Sequence, residues 1–90
     1  MKTVYKYEMS MPHIVTTRLP VDAKFIHFGA DELNQLSMWF EIDTEQNAFI
    51  DREFHIVGTE HPIDFKGYHL GSLIAGPYVW HLYEVMDRHL

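Results

Sequence analysis

The stretch 58–63, Gly-Thr-Glu-His-Pro-Ile, puts the carboxylate of Glu60 beside the imidazole of His61, between two runs that are typical of β-strands. Imidazole and carboxylate groups are the usual agents of general acid–base catalysis. Neighbouring residues on a strand point to opposite faces, so only a turn would bring these two side chains together. We interpret the stretch as a structural corner, in which His61 hydrogen-bonds a backbone carbonyl and Pro62 makes the exit rigid, and we assign no catalytic residue.

The histidines make a metal site the next hypothesis, because neutral imidazole is a common ligand of zinc. Their spacing places no two of them on one side of a single strand or helix, so ligands would have to converge from several strands. Such a site would be built from His55, His61 and His81 with Glu60 or Glu84. The simpler interpretation is strand histidines that are hydrogen-bonded or exposed, and we predict no metal and no cofactor. The histidines are His13, His27, His55, His61, His69, His81 and His89.

Nucleophilic catalysis has no obvious residue to carry it. The chain has no cysteine, and Ser72, between Gly71 and Leu73, lacks the Gly-x-Ser-x-Gly pattern that exposes a catalytic serine at a sharp turn. Residues 71–76 match no phosphate-binding loop, and no helix follows them. We therefore predict that the protein is not an enzyme.

Aromatic side chains supply the candidate contact residues. Trp39 shares the outward face of its predicted strand with Glu41 and Asp43, and an aromatic ring on a polar face indicates a contact surface. Trp80 lies in the segment 79–84, where both faces are apolar or aromatic, so it is either the core tryptophan or part of an interface. The predicted binding residues are Trp39, Glu41, Asp43, Glu60, His61, Tyr78, Trp80 and His81.

The elements that must position these residues are β-strands. Apolar residues alternate with polar ones in a series of short runs that turn signals separate, and no segment carries a helical stripe. We predict an all-β fold, a small single-domain antiparallel sandwich or barrel of about six to seven strands, with strands three and four forming a hairpin. The predicted strands are 3–9, 13–19, 24–29, 36–43, 52–57, 68–74 and 78–85, within a single domain 1–90.

The connections carry predictions of their own. Residues 30–35 indicate a polar turn or at most one helical turn, and 44–51 indicate an acidic loop. Gly71 inside a strand indicates a β-bulge. The segment 75–77, Ala-Gly-Pro, predicts the turn before the last strand.

Composition narrows the classes of function. The chain has 90 residues and a formal net charge of −6, with its seven Lys and Arg residues scattered, which argues against direct binding of nucleic acid. No signal peptide and no membrane-spanning run is evident, so we expect a cytoplasmic protein that does not associate with membranes. Pairing would give so short a chain more buried area, and a homodimer is therefore a hypothesis.

Two elements, Gly-Thr-x-His-Pro-Ile at 58–63 and Val-Trp-His-x-x-Glu at 79–84, are distinctive in combination with Tyr-Lys-Tyr at 5–7. With them, nearly the whole chain resembles a family of short, uncharacterised proteins encoded by phages and prophages, catalogued as a domain of unknown function. That family usually has Gly at the position of Glu60, so this chain gains a charge and loses flexibility there. The resemblance implies a phage origin and a compact all-β domain, and it brings no known active site.

We therefore expect a phage-encoded, non-enzymatic accessory protein that binds a host or phage protein in the cytoplasm of the infected bacterium, for example to inhibit a defence system. One alternative is a binder of nucleotide signals, in which Trp39, Tyr68, Tyr78 and Trp80 would stack a base. Further alternatives are a His-based metal-dependent enzyme and a minor component of the virion.

Overall fold

Seven β-strands make up most of the chain. The structure, a computed structural model, describes residues 1–9 and 14–87, and contains no helix within those ranges. Two histidines of the sequence, His13 and His89, lie outside the described residues, as does the predicted start of the second strand. The strands are β1 Lys2–Glu8, β2 Ile14–Pro20, β3 Lys24–Ala30, β4 Leu36–Asp43, β5 Phe49–Gly58, β6 Lys66–Ala75 and β7 Tyr78–Asp87.

The strands form two antiparallel sheets. One has three strands in the order β1-β4-β3, and the other has four in the order β2-β5-β7-β6. Because the strands divide between two sheets, the fold is a sandwich rather than a closed barrel. The predicted all-β class is confirmed, as is the pairing of strands three and four as a hairpin.

Strand β5 begins at Phe49, three residues before its predicted start at Arg52 and within the segment predicted as an acidic loop. Strand β2 determines this earlier start: Leu19 pairs with Ile50, Pro20 pairs with Phe49, and the Arg18 guanidinium lies 5.8 Å from the centre of the Phe49 ring. Pairing with β2 thus extends β5 into a segment whose polar composition predicts a loop.

The polar segment between β3 and β4 is a turn, as one of the two predicted alternatives states. The Asp31 carboxylate accepts the backbone N–H groups of Leu33 and Gln35 at 2.8 and 2.9 Å, and the Lys6 ammonium lies 2.9 Å from it. The backbone N–H of Gln35, followed by Lys6, lowers the pKa of Asp31. This buried carboxylate satisfies the turn's donors and ties it to β1.

The β6–β7 hairpin follows from its two central residues. Gly76 has φ of 59°, and a glycine with positive φ followed by proline fits a two-residue type II′ turn. Ala75 pairs with Tyr78, and the pairing then continues in register as far as the predicted bulge. The register shifts between His69 and Gly71, which confirms the bulge.

The core lies between the two sheets and is centred on Phe40. Its ring makes edge contacts with Tyr7 and Phe25 from its own sheet, at 5.7 Å between centroids, and with Phe54 from the facing sheet at 5.9 Å. These contacts join the sheets through aromatic pairs. The buried core residues are Met9, Leu19, Ala23, Phe28, Met38, Phe40, Ile42, Phe54, Ile56 and Leu82.

An ion pair lies beside this core. The Arg52 guanidinium donates two hydrogen bonds to the Glu84 carboxylate at 2.7 and 2.8 Å and a third to the Ala23 carbonyl at 3.0 Å. It also lies 5.4 Å from the Phe40 ring and 5.8 Å from the Phe54 ring. This arrangement joins β5, β7 and the turn before β3 to the aromatic core.

Candidate functional site

The corner 58–63 begins with a β-turn at the end of β5. The backbone N–H of His61 donates to the Gly58 carbonyl at 3.1 Å, and the N–H of Thr59 donates to the Val79 carbonyl at 3.3 Å. Glu60 has φ of 72°, the left-handed conformation that the third position of a type II turn requires and that glycine adopts most readily. The corner therefore holds a carboxylate on a strained backbone.

Gly58 permits the packing of this corner. A Cβ atom there would lie 2.9 Å from the His61 ring and 3.4 Å from the Trp80 ring, so a side chain has no room without displacing the histidine. The predicted hydrogen bond to a backbone carbonyl exists, but it comes from the backbone N–H of His61. The His61 side chain is exposed, and its ring hydrogen-bonds to none of the described residues.

A pocket of about 180 Å³ opens at the corner. Glu60 and His61, which adjacent strand positions would have separated, both line it because they lie in a turn. Two residues of β7, His81 and Tyr83, form the opposite wall. The lining residues are Val57, Gly58, Thr59, Glu60, His61, Ile63, His81 and Tyr83.

A chain of hydrogen bonds runs from the pocket across the four-stranded sheet. His81 Nε2 lies 3.0 Å from Thr59 Oγ1, and His81 Nδ1 lies 2.7 Å from Ser72 Oγ. Ser72 Oγ is also 2.9 Å from His69 Nε2. Each hydroxyl can donate one proton and accept others, so the tautomer of His81 and the directions of these bonds are set together.

The sequence patterns do not predict the roles of Thr59, His69 and Ser72. The contact of Ser72 with His81, at the centre of the hydrogen-bond chain, is nevertheless indicated by one feature of the sequence. A two-residue turn at 76–77 fixes the register of the β6–β7 hairpin and places position 72 directly opposite His81, as observed. Counting residues from the turn does not reveal the other two contacts. Thr59 reaches His81 because the chain folds back at the corner, and the position of His69 is shifted by the β-bulge.

A second cluster lies further along the same face. His55 Nε2 is 2.6 Å from Glu53 Oε2, and the His55 ring contacts Phe65 at 4.4 Å between centroids. Phe65 contacts Tyr83 at 5.8 Å, and Tyr83 contacts His69 at 5.3 Å. Aromatic and imidazole rings therefore cover the outward face from β5 to β6.

Three predicted binding residues lie elsewhere, on the outward face of the three-stranded sheet. Trp39 is half-buried, and its ring lies 5.4 Å from that of His27. Glu41 pairs with Lys2 at 3.5 Å, and Asp43 pairs with the N-terminal ammonium at 3.0 Å. The backbone N–H of Glu45, together with that ammonium, lowers the pKa of Asp43.

Tyr78 and Trp80 lie on the face of β7 that is turned toward the other sheet. Their rings stack at 5.5 Å between centroids and 24° between planes. Trp80 packs against the buried core, while Tyr78 is exposed. The eight predicted binding residues thus occupy three places, and only Glu60, His61 and His81 meet in one pocket.

The residues proposed for a metal site are divided as well. Glu84 pairs with Arg52, and His55 pairs with Glu53 outside the corner pocket. Among the residues that the structure describes, no three His, Asp or Glu side chains are grouped so that they could hold a metal ion.

The fold places the chain in a class, and comparison with known proteins places it in a family. The fold defines a small antiparallel β-sandwich. A family model described as domain of unknown function DUF7352 matches residues 1–89, and the chain belongs to that family. The search of curated proteins and the search of solved structures gave no match. Within the described ranges, no helix is long and apolar enough to cross a membrane.

Proposed function

We propose that this chain is a phage-encoded, non-enzymatic protein that binds a host or phage protein through the outward face of its four-stranded sheet. The phage origin rests on the two sequence elements at 58–63 and 79–84. Inhibition of a bacterial defence system, in the cytoplasm of the infected cell, is the role that we assign to this binding.

The observation that carries the proposal is the composition of the outward face of β7. The outward face of a sheet in a sandwich is normally polar because it meets solvent. Here β7 presents Val79, His81, Tyr83 and Val85 on the face opposite the buried Leu82. The neighbouring position on β6, Ile74, is 75 % exposed. Apolar residues clustered on a solvent face are typical of protein contact sites.

Capture from a bacterial lysate tests the proposal. The immobilised chain is expected to retain a saturable partner, and Ile74→Asp is expected to reduce retention at least about tenfold, since it places a charge in the contact. The matched control is Leu33→Asp, which replaces another aliphatic residue, 71 % exposed, in the turn before β4. The proposal fails if no saturable partner is retained, and its choice of surface fails if both variants behave alike.

Self-association of the chain through the same face needs a separate measurement. Light scattering on the purified chain at several concentrations distinguishes a homodimer, the form that our hypothesis from chain length favours, from a monomer. If the chain dimerises through this face, Ile74→Asp will dissociate the dimer whereas Leu33→Asp will not.

One observation favours a second candidate function, that of a hydrolytic enzyme. The Ser72 hydroxyl lies 2.7 Å from His81 Nδ1, the relation of a nucleophile to its general base. Labelling with a fluorophosphonate, followed by intact-mass measurement, tests it. An adduct on Ser72 that disappears in His81→Ala would support an enzyme and contradict our assignment of a non-enzymatic protein.

A further inference from the structure

The corner pocket is small enough for a single side chain. Its volume is about 180 Å³, which is less than the 300 Å³ or so at which pockets for drug-sized ligands begin. It lies beside the apolar face of β7, because His81 and Tyr83 belong to both. A partner resting on that face would therefore reach the pocket with one of its own side chains.

The charge at the pocket is negative and unpaired. Glu60 lines it and makes no ion pair with any described residue, and no Lys or Arg is among the lining residues. Four Lys and Arg side chains have carboxylate partners elsewhere, within a protein whose formal net charge is −6. Those pairs are Lys2–Glu41, Lys6–Asp31, Arg18–Asp51 and Arg52–Glu84.

The neutral groups of the pocket also suit a ligand that donates hydrogen bonds. When Thr59 donates to His81 Nε2 and His81 donates through Nδ1 to Ser72, the Ser72 hydroxyl donates onward to His69. In this direction every bond of the chain is satisfied, and the lone pairs of Thr59 Oγ1 remain available to the pocket. Tyr83 also lines the pocket, and the face of an aromatic ring attracts cations.

The backbone of the corner holds the carboxylate in place at an energetic disadvantage. Glu60 occupies a left-handed position that glycine would fill with less strain. Non-glycine residues in such positions are concentrated at sites where a side chain is needed for function. This observation, independent of the charge, also points to Glu60 as a contact residue.

We propose that this pocket binds an arginine side chain of the protein partner, an inference that rests on the proposed function for the identity of its ligand. Glu60 accepts both N–H groups of one edge of the guanidinium, Thr59 accepts a third, and the planar group lies against the ring of Tyr83. Arginine fits better than lysine, because its guanidinium is planar, is weakly hydrated and binds a carboxylate through two parallel hydrogen bonds.

Acetyl-arginine methylamide is the probe for the test, followed by ¹⁵N-HSQC titration of the purified chain. Saturable shifts are expected at 58–61, Ile63, His81 and Tyr83. Glu60→Gln should weaken binding about fivefold, the loss of one partly exposed ion pair. Acetyl-citrulline methylamide, which has the same shape without the charge, should give no saturable shift there. Asp22→Asn is the matched control, since Asp22 is exposed, unpaired among the described residues and distant in sequence from the corner.

Three results would overturn the inference: citrulline binding as well as arginine, Glu60→Gln changing the affinity less than twofold, or shifts that lie outside the pocket. Repeating the lysate capture with Glu60→Gln separates this inference from the proposed function. Full retention of the partner by that variant means that the pocket is not used although the proposed function stands. Arginine binding without any captured partner would leave the pocket as a site and remove the proposed function.

Discussion

Replacing Arg52 with methionine should lower the free energy of unfolding by about 3 kcal/mol, because the substitution leaves the Glu84 carboxylate buried without its partner. Removing one member of a buried ion pair typically costs about 3–5 kcal/mol. The two side chains are 20 % and 19 % exposed, so solvent eases the desolvation of Glu84 and the lower end of the range applies. Methionine keeps much of the length of arginine and therefore much of its contact with Phe40 and Phe54.

Urea denaturation measures this loss, and a second substitution tests its cause. At about 4–8 °C per kcal/mol for a chain of this length, the melting temperature should fall by roughly 12–24 °C. The double variant Arg52→Met/Glu84→Leu should recover to within about 1 kcal/mol of the parent, since apolar replacement of both members of a buried pair is often neutral. Adding the single variant Glu84→Leu completes a double-mutant cycle, which measures the coupling between the two side chains directly.

Arg18 provides the matched control. Arg18 lies on β2 and pairs with Asp51 at 3.5 Å, and both side chains are largely exposed, at 68 % and 58 %. Arg18→Met should therefore change stability by less than about 0.5 kcal/mol. If Arg52→Met is equally mild, or if the double variant is no more stable than the single one, the reasoning about the buried carboxylate is refuted.

Three other perturbations have definite expected outcomes. Gly67→Ala should lower stability by about 2 kcal/mol in urea denaturation, because a Cβ would lie 2.6 Å from a backbone carbonyl of β7, and an unchanged midpoint would contradict this. The pKa of Asp31 is lowered by the backbone N–H of Gln35 and by Lys6, so the stability it supplies is present above about pH 4 and lost as the pH falls through the lowered value. Asp31→Asn should therefore flatten the acid side of a plot of urea midpoint against pH; an unaltered profile would argue against it. Glu60→Gly should raise stability by about 0.5 kcal/mol, because relief of the backbone strain slightly exceeds the cost of the added entropy of the unfolded chain. The same variant should weaken arginine binding at least as much as Glu60→Gln does.

The strands were largely predictable because period-two patterning is a direct result of a face that must be buried. In β4, Met38, Phe40 and Ile42 are buried as the alternation predicts. The pattern fails at Ser37, which is fully buried on the opposite face, beside Gly29 of β3 and Glu8 of β1 in the register. Burial there depends on which strands lie alongside, and the sequence of one strand does not contain that information.

The candidate site was only partly predictable, for the same reason. The corner 58–63 was recognised because Gly and Pro act on the local backbone, so their effect can be inferred from neighbouring residues. The contact of Ser72 with His81 depends on hairpin register, and that of Thr59 with His81 depends on where a corner folds back. The partnership of Arg52 and Glu84 joins residues 32 positions apart through the pairing of β5 with β7, which no local pattern indicates.

The position of Glu60 connects these observations to function. A type II turn at this corner would be more stable with glycine, and neither packing nor an ion pair with a described residue compensates for the glutamate. Glu60 is exposed and lowers stability, and no contact within the described part of the chain offsets that loss. The simplest explanation is an interaction that the isolated chain does not make. Glu60→Gly and Glu60→Gln separate the two effects. Both remove the carboxylate but only glycine relieves the backbone, so a binding contact predicts that both variants bind arginine more weakly while only the first gains stability.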